Sequence, residues 1–342
     1  MTDEIKNCRA CNSMELDSIL SLGNQYVTNF IDSKEQQKNI PRIPLELVLC
    51  NGCKLLQLKH NAPAESMWGD QYWYKSGISM TIRDNLRDIV EKSRKLKKIS
   101  KGDIVIDIGC NDGTLLESYN GEEGISLVGF EPSGNVARKA QEKGFKVIRD
   151  FFNFENFQQE FENKKAGIIT AISMFYDLEN PNKFLKDIAI VLDKEGLFVI
   201  QQNYLVTMIE QNAFDNICHE HREYYSLISL KEILEKHGLE IFDIELNDIN
   251  GGSIRTYIRF KNNFKLIGFP GAEERIMDLI KKERQIGLDN LKPYSEFASR
   301  IYKIKEKLVN FLRQEKNIGK KIWIYGASTR GNVILQYFGL NS

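Results

Sequence analysis

The sequence has no surplus of either charge. Its 342 residues hold 47 Lys and Arg against 47 Asp and Glu. A generic polyanion binder carries an excess of basic residues to displace counterions, so nucleic acid is not an expected partner. Long apolar runs are also missing. None reaches the roughly 18 residues of a membrane-crossing helix. The first residues, Met1 to Lys6, have neither the basic start nor the apolar stretch of a secretory signal. The expected compartment is therefore the cytoplasm, with no membrane partner. Short internal repeats and low-complexity tracts are absent. Oligomeric state is not legible. The chain is 42% apolar and 27% charged, which describes a globular protein of two or three domains.

Cysteine is sparse but patterned. Four of the six cysteines form two Cys-x-x-Cys pairs, Cys8/Cys11 and Cys50/Cys53. In a large reduced protein this spacing points to metal. Two such knuckles complete a closed tetrahedral Zn²⁺ site, which is structural and not catalytic. Incidental buried thiols are the plainer alternative. His60 is within reach as a substitute ligand, although a surface position suits it better.

The middle of the chain alternates strand and helix signals. Asp103–Ile108, Leu127–Glu131, Lys146–Arg149, Ala166–Ile172 and Gly196–Gln201 read as strands, and 133–143 and 181–192 as helices between them. This is an α/β pattern with a parallel sheet covered on both faces. A helix is expected from Thr81 to about Lys98, another over Leu230–His237, and two strands between 227 and 260. Residues 271–316 read as two helices separated near Pro293. A further strand and helix start at Lys321. One βα unit cannot bury its strand alone, so a C-terminal domain cut short is expected there.

Three clusters carry candidate chemistry. Asp107-Ile-Gly109-Cys-Asn111-Asp-Gly113 follows the first strand of the α/β region, where glycines let a ligand approach backbone and helix N–H groups. It is not the Gly-x-Gly-x-x-Gly dinucleotide pattern. Glu131 ends the next strand and is placed to accept hydrogen bonds from ribose hydroxyls. An adenosyl ligand without phosphates fits both features, and S-adenosylmethionine is such a ligand. An ordinary strand–turn–helix with a chance acid is the alternative. Asp107 would face the amino acid end of that ligand. Asp150 and Phe151 would cover the adenine, and Ser173 would line its inner side. The second cluster is Cys218-His219-Glu220-His221, which holds two of the four histidines. A histidine there can take a proton, and Glu220 can orient it or hold a substrate hydroxyl. A metal site is a further alternative, although no third ligand is obvious, and a self-bonded polar loop is the plainest one. The third is Tyr72-Trp73-Tyr74, equally readable as core. Asn250-Gly251-Gly252 reads first as a hairpin turn. Gly326 to Gly331 is a weak signal for a phosphate-tolerant turn.

Taken in order, these marks resemble the sugar C-methyltransferase family. They are Cys8-Arg-Ala-Cys11, Cys50-Asn-Gly-Cys53, Tyr72 to Ser76, Asp107 to Gly113, His219-Glu220-His221 with Tyr224 and Tyr225, Gly251 to Arg255, and Tyr325 to Asn332. The resemblance covers essentially the whole chain. It implies a zinc-binding segment at 1–60 and an aromatic and helical connector at 61–100. It implies a class I S-adenosylmethionine methyltransferase domain with a Rossmann-like sheet at 101–262. Residues 263–342 would be a helical linker and the start of a truncated C-terminal Rossmann-like domain. The implied reaction is C-methylation of a nucleotide-linked keto-deoxysugar, with His221 as general base and Glu220 on the sugar. Tyr72 or Tyr74 would assist, and His219 and Arg255 would bind substrate, Arg255 at a phosphate. Two departures concern the acceptor. Cys218 stands where the family often has tyrosine, and Met174-Phe-Tyr-Asp177 where it often has a histidine. O-methylation, a non-sugar acceptor, or a non-catalytic zinc- and ligand-binding module are the competing expectations.

Overall fold

Among the described residues, the first 61 positions hold five strands: β1 (Asp3–Glu4), β2 (Leu16–Tyr26), β3 (Arg42–Cys50), β4 (Leu56–Leu58) and β5 (His60–Asn61). This computed structural model describes residues 3–27, 40–69, 72, 74–119, 121, 123–326 and 328–340. Trp73, and Ala327 of the Gly326–Gly331 turn, fall outside the described residues. Helix α1 (Met80–Leu96) follows, with the Ser79 side chain accepting from the Ile82 N–H as its N-cap.

The α/β region then runs β6 (Ile104–Ile108), α2 (Thr114–Glu117), β7 (Ser126–Phe130), α3 (Gly134–Glu142), β8 (Lys146–Ile148), α4 (Phe154–Phe161), β9 (Ala166–Ile172), α5 (Pro181–Val191) and β10 (Leu192–Asn203). All five residues of β6 are buried, as a central parallel strand requires. After β10 come α6 (Leu205–Gln211), β11 (Glu223–Tyr224), α7 (Leu227–Glu235), β12 (Leu239–Asn247) and β13 (Ser253–Phe260). The chain continues in α8 (Ala272–Ile286), α9 (Lys292–Asn317) and α10 (Thr329–Phe338).

The main sheet has seven strands in the order β12-β13-β10-β9-β6-β7-β8. β6 pairs in parallel with both β7 and β9, so the winding direction reverses at β6/β9. β13 runs antiparallel to β10 and to β12. A reversal of this kind leaves a crevice beyond the carboxyl ends of the strands, which is where ligands bind in open α/β sheets.

The cysteine-bearing segment is not a separate bead. β11, only two residues past His221, pairs with β4, so the second sheet has the order β11-β4-β3-β2. Cys8, Cys50 and Cys53 share one hydrophobic core with Ile106, Phe175 and Tyr225. Leu20, Leu45 and Leu47 pack with Tyr294 and Phe297 of α9 and Tyr337 of α10.

The strand expected at Lys321 does not form. Residues 321–326 carry no regular structure, and Trp323 and Tyr325 are exposed. A strand needs a neighbour for its N–H and C=O groups, and no described strand lies alongside this one. Among the described residues no helix is long and apolar enough to cross a membrane.

Candidate functional site

A cavity of about 500 Å³ opens at the β6/β9 reversal. Its floor is the turn after β6. Gly109 has φ +70°, and a Cβ there would come within 3.3 Å of the Met174 side chain. Asn111, also in the left-handed region, donates from its side chain to the Tyr74 carbonyl and accepts from the Ser76 N–H. The aromatic connector is thereby tied to the floor. Asp107 accepts from the Thr170 hydroxyl at 2.6 Å, and burial raises its carboxyl to about 7.

Glu131 lines the cavity just past β7. One carboxylate oxygen accepts from the Asn111 N–H and the other from the Ser133 N–H, at 3.0 and 2.8 Å. Burial raises its pKa while these bonds lower it. Each oxygen keeps a lone pair, so a vicinal diol can still dock against it. Asp150 and Phe151 sit at the mouth. Asp150 is occupied by the Phe151 and Asn156 N–H groups, and Phe151 packs edge-on against Trp68. Ser173 lines the wall at the end of β9, and its N–H donates to Gln201.

The facing wall carries the acid–base cluster. His221 Nδ1 lies 2.8 Å from the Asn216 carbonyl oxygen. Of the two neutral tautomers, only the one with hydrogen on Nδ1 makes that a hydrogen bond, and that tautomer leaves Nε2 bare. The imidazole meets Tyr176 edge-on, 4.5 Å between centroids. Glu220 lines the same wall, and burial raises its pKa against the opposing pull of His221. Tyr72 and Tyr74 line the cavity too. Burial raises both phenols, Tyr72 well above the ordinary value with help from the nearby Glu220 and Asp177 carboxyls. These tyrosines stay protonated, so they suit hydrogen-bond donation and not proton abstraction.

Asp177 was missed by sequence reasoning. It lines the cavity, one carboxyl oxygen is buried without a partner, and burial pushes its pKa well up. The signal for it was negative: an Asp in the segment where a histidine was expected.

Three expected contacts are not made. Gly113 does not line the cavity. It closes the turn at φ +76°, and a Cβ there would meet Phe145 at 2.9 Å and Ala140 at 3.0 Å. Its requirement is close packing of α3 on the turn, not ligand approach. His219 points away from the cavity, with Nε2 3.0 Å from the Ile43 carbonyl oxygen, and burial lowers its pKa to about 4. It is a neutral clamp on β3. Arg255 is 2% exposed and fully engaged by α1 and the sheet. Its guanidinium donates to Gln201 at 2.8 Å, Asp88 at 2.7 Å and Asn85 at 3.1 Å. It has no edge left for a phosphate. The hairpin turn at Asn250 forms between β12 and β13, and Ile249 and Asn250 also line the cavity.

The four pattern cysteines converge. Their sulfurs all lie within 4.8 Å of one another, and all four are free thiols. Gln57 donates from Nε2 to Cys8 Sγ at 3.2 Å, and a Cβ on Gly52 would come 3.2 Å from Cys11 Sγ. This is a closed, glycine-fitted cradle with an outer hydrogen-bond donor, the set that a tetrahedral ion takes. His60 is outside it and is buried, not surface. Cys110 instead packs over Gly129, where a Cβ would clash with its sulfur at 2.3 Å.

Comparison with known proteins divides the chain into three. Residues 8–68 match the family model of a proposed zinc binding domain, 80–244 that of a methyltransferase domain, and 248–342 that of a C-methyltransferase C-terminal domain. Across 343 aligned residues the chain is 27% identical to the C-methyltransferase NovU of Streptomyces niveus, covering 98% of this chain and 79% of that protein. Across 172 residues it is 26% identical to the tRNA U34 carboxymethyltransferase of Helicobacter pylori (strain J99), covering 46% of this chain and 62% of that one. Among solved structures, an S-adenosylmethionine-dependent methyltransferase from Clostridium acetobutylicum aligns with a TM-score of 0.41 at 13% identity, over 52% of this chain and 92% of that one.

Proposed function

We propose that this S-adenosylmethionine-dependent methyltransferase, with its zinc-binding, methyltransferase and C-methyltransferase C-terminal domains in series, methylates the carbon beside the ketone of a nucleotide-linked sugar. The observation that carries this reading is the opening of the His221/Glu220 wall and the Glu131/Gly109 floor onto one cavity. S-adenosylmethionine, when bound, supplies an electrophilic methyl group on sulfur. Glu131 would hold its ribose hydroxyls, Gly109 and Asn111 would let it approach the turn, Asp107 would face its amino acid end, and Ser173 would line its inner side. Asp150 and Phe151 would cover the adenine.

The protein's own chemistry is proton removal. A ketone acidifies the neighbouring C–H, and the bare Nε2 of His221 takes that proton. Negative charge then moves to the ketone oxygen as the enolate forms. Tyr72, held protonated by burial, donates a hydrogen bond to that oxygen, and Glu220 holds a sugar hydroxyl. A C–C bond would then form to the donor's methyl group as its S–CH₃ bond breaks and S-adenosylhomocysteine leaves, with the abstracted proton passing from His221 to solvent; holding carbon and methyl in line would supply much of the rate. The relationship to NovU over nearly the whole chain supports carbon as the methylated atom.

The test is product analysis. The purified chain, S-adenosylmethionine and a nucleoside diphosphate 4-keto-6-deoxysugar are expected to give a product whose new methyl group is carbon-bound by ¹³C NMR. An oxygen-bound methyl would replace this reading with O-methylation.

The Cys8/Cys11/Cys50/Cys53 cradle holds one structural Zn²⁺ in this reading. Gln57 joins the Cys8 sulfur to Arg9, whose backbone and guanidinium N–H groups both donate to the Gln57 side-chain oxygen. Arg9 in turn lies 3.8 Å from Glu223, on β11, only two residues from His221. Metal analysis should therefore give one zinc per chain. Stripping it should lower Tm by roughly 10 °C or more, because metal binding is folding energy, and should cost turnover through the β11 loop. An unchanged Tm after complete removal would rule out a structural ion.

A further inference from the structure

Sequence spacing pairs His219 with His221, and the fold separates them. The turn at 218–221 is closed by the His221 N–H, which donates to the Cys218 carbonyl at 3.1 Å. It sends His219 out to Ile43 and sets Cys218 beside His221. Cys218 Sγ, a Glu220 carboxylate oxygen and a His221 ring nitrogen all lie within 4.8 Å of one another, and all three residues line the cavity. The third ligand that the histidine pair lacked is thus a thiol. Cys218 is 2% exposed, and proton removal at the acceptor makes no use of it.

Three features fit this trio to a metal ion. The Asn216 carbonyl fixes the imidazole through Nδ1 at 2.8 Å and leaves Nε2 as a donor to the cavity. A ring N–H held by a carbonyl is the usual outer support of a metal-bound histidine. The second feature is charge. Asp177, next to the Tyr176 that touches the His221 ring, lines the same cavity with one carboxyl oxygen buried and unpartnered. The two arginines among the lining residues are committed elsewhere. Arg222 donates to the Ala62 and Asp177 carbonyls, and Arg330, on the first turn of α10, gives Nε to Asp215 at 2.6 Å. Buried acids without a counter-charge are costly, and a divalent cation relieves that cost. The third feature is donor type. Sulfur, imidazole nitrogen and one carboxylate suit Zn²⁺, whereas Mg²⁺ and Ca²⁺ take oxygen. Three protein ligands leave a fourth position open, unlike the closed four-cysteine cradle.

We propose that Cys218, Glu220 and His221 form a second, cavity-facing Zn²⁺ site, and that the ion bound there blocks proton removal from the acceptor. The ion bonds to Cys218 Sγ, a Glu220 oxygen and His221 Nε2, and the thiol proton passes to solvent. The Nε2 lone pair is then engaged and takes no proton. Four thiolates outbid one, so the cradle at Cys8, Cys11, Cys50 and Cys53 fills first and this site fills from added ion. The ligand set stands on the trio alone. The block rests on His221 as the base, argued above. The Glu131 and Gly109 floor contains none of the three ligands, so the methyl donor still binds.

Cobalt titration of the full chain, first given one equivalent of zinc, tests the ligands, because a thiolate–Co²⁺ bond is coloured. One further equivalent of Co²⁺ should bring in a thiolate-to-cobalt absorption band, which excess zinc removes. Cys218→Ser should abolish the band and weaken cobalt binding about a hundredfold, since losing even an outer partner of a metal ligand costs roughly 10–100-fold. Glu220→Gln should keep the band and weaken binding about tenfold. Both should bind S-adenosylhomocysteine as the parent does, which reports an intact fold. Should Cys218→Ser misfold, Glu220→Gln still decides. With S-adenosylhomocysteine and acceptor bound, saturating zinc should slow deuterium exchange beside the acceptor ketone about a hundredfold in the parent. No band in the parent, a band that survives Cys218→Ser, or parental cobalt affinity in Glu220→Gln would overturn the site. The expected cobalt results with exchange unslowed by zinc would overturn the block, and His221 as base with it, and leave the ligand set standing. A parent that binds cobalt as expected but exchanges no proton even without added zinc would overturn the acceptor chemistry alone.

Discussion

His221→Gln should keep the parent's affinity for S-adenosylmethionine and lose turnover by about a hundredfold or more, the usual loss when a positioned general base is removed. The reason lies in the geometry. His221 is held by the Asn216 carbonyl through Nδ1, at 2.8 Å, and it touches no residue of the Glu131 floor among the bonds described for it. Removing the imidazole leaves that floor intact. The sharper readout is exchange. With S-adenosylhomocysteine in place of the donor, the parent should exchange the proton beside the acceptor ketone for deuterium in D₂O, and His221→Gln should not. Exchange at the parental rate in the variant would assign the base elsewhere. The expected pattern is a fall in kcat at unchanged donor KM, which a merely structural role for His221 would not give.

Arg255→Leu should act on stability and leave nucleotide binding alone. The guanidinium ties α1 to the sheet through Asp88 at 2.7 Å, Asn85 at 3.1 Å and Gln201 at 2.8 Å, with Glu245 at 3.4 Å. Leucine would leave the acids without this partner, although Lys92 stays 2.7 Å from Glu245. Breaking a fully buried pair from one side costs about 3–5 kcal/mol. The Asp88 side chain is 43% exposed, so the expected loss is about 2–3 kcal/mol in urea unfolding. Nucleoside diphosphate affinity per folded molecule should match the parent. A variant of full stability with weakened diphosphate binding would restore Arg255 to the phosphate role that the sequence suggested for it.

The two arginines show why the site was only partly legible. Gly251 to Arg255 reads as a turn with a basic residue after it, and nothing local says which way the side chain goes. Its partners lie at Asn85, Asp88 and Gln201, more than fifty residues away in sequence, so only assembly of α1 on the sheet reveals that it is consumed. Arg330 sits in a turn whose glycine spacing is weak, and its meaning depends on α10 reaching a cavity built some two hundred residues earlier. His219 and His221 make the same point at shorter range. Two positions apart, they face opposite ways, one onto Ile43 and one into the cavity.

The sequence by itself determined the parts whose physics is local. The β-branched runs of β6 and β9, the helices between strands, the paired cysteine knuckles and the glycine turn ending at an acid-bearing strand all follow from neighbours a few residues apart. Tertiary structure decided what those parts share. It joined β11 to the sheet of the cysteine-bearing segment and buried Arg255. It turned Asp177 into the cavity and left Lys321–Tyr325 without a strand partner. Each of these is settled by desolvation and pairing between distant segments, energies that no short stretch of sequence contains.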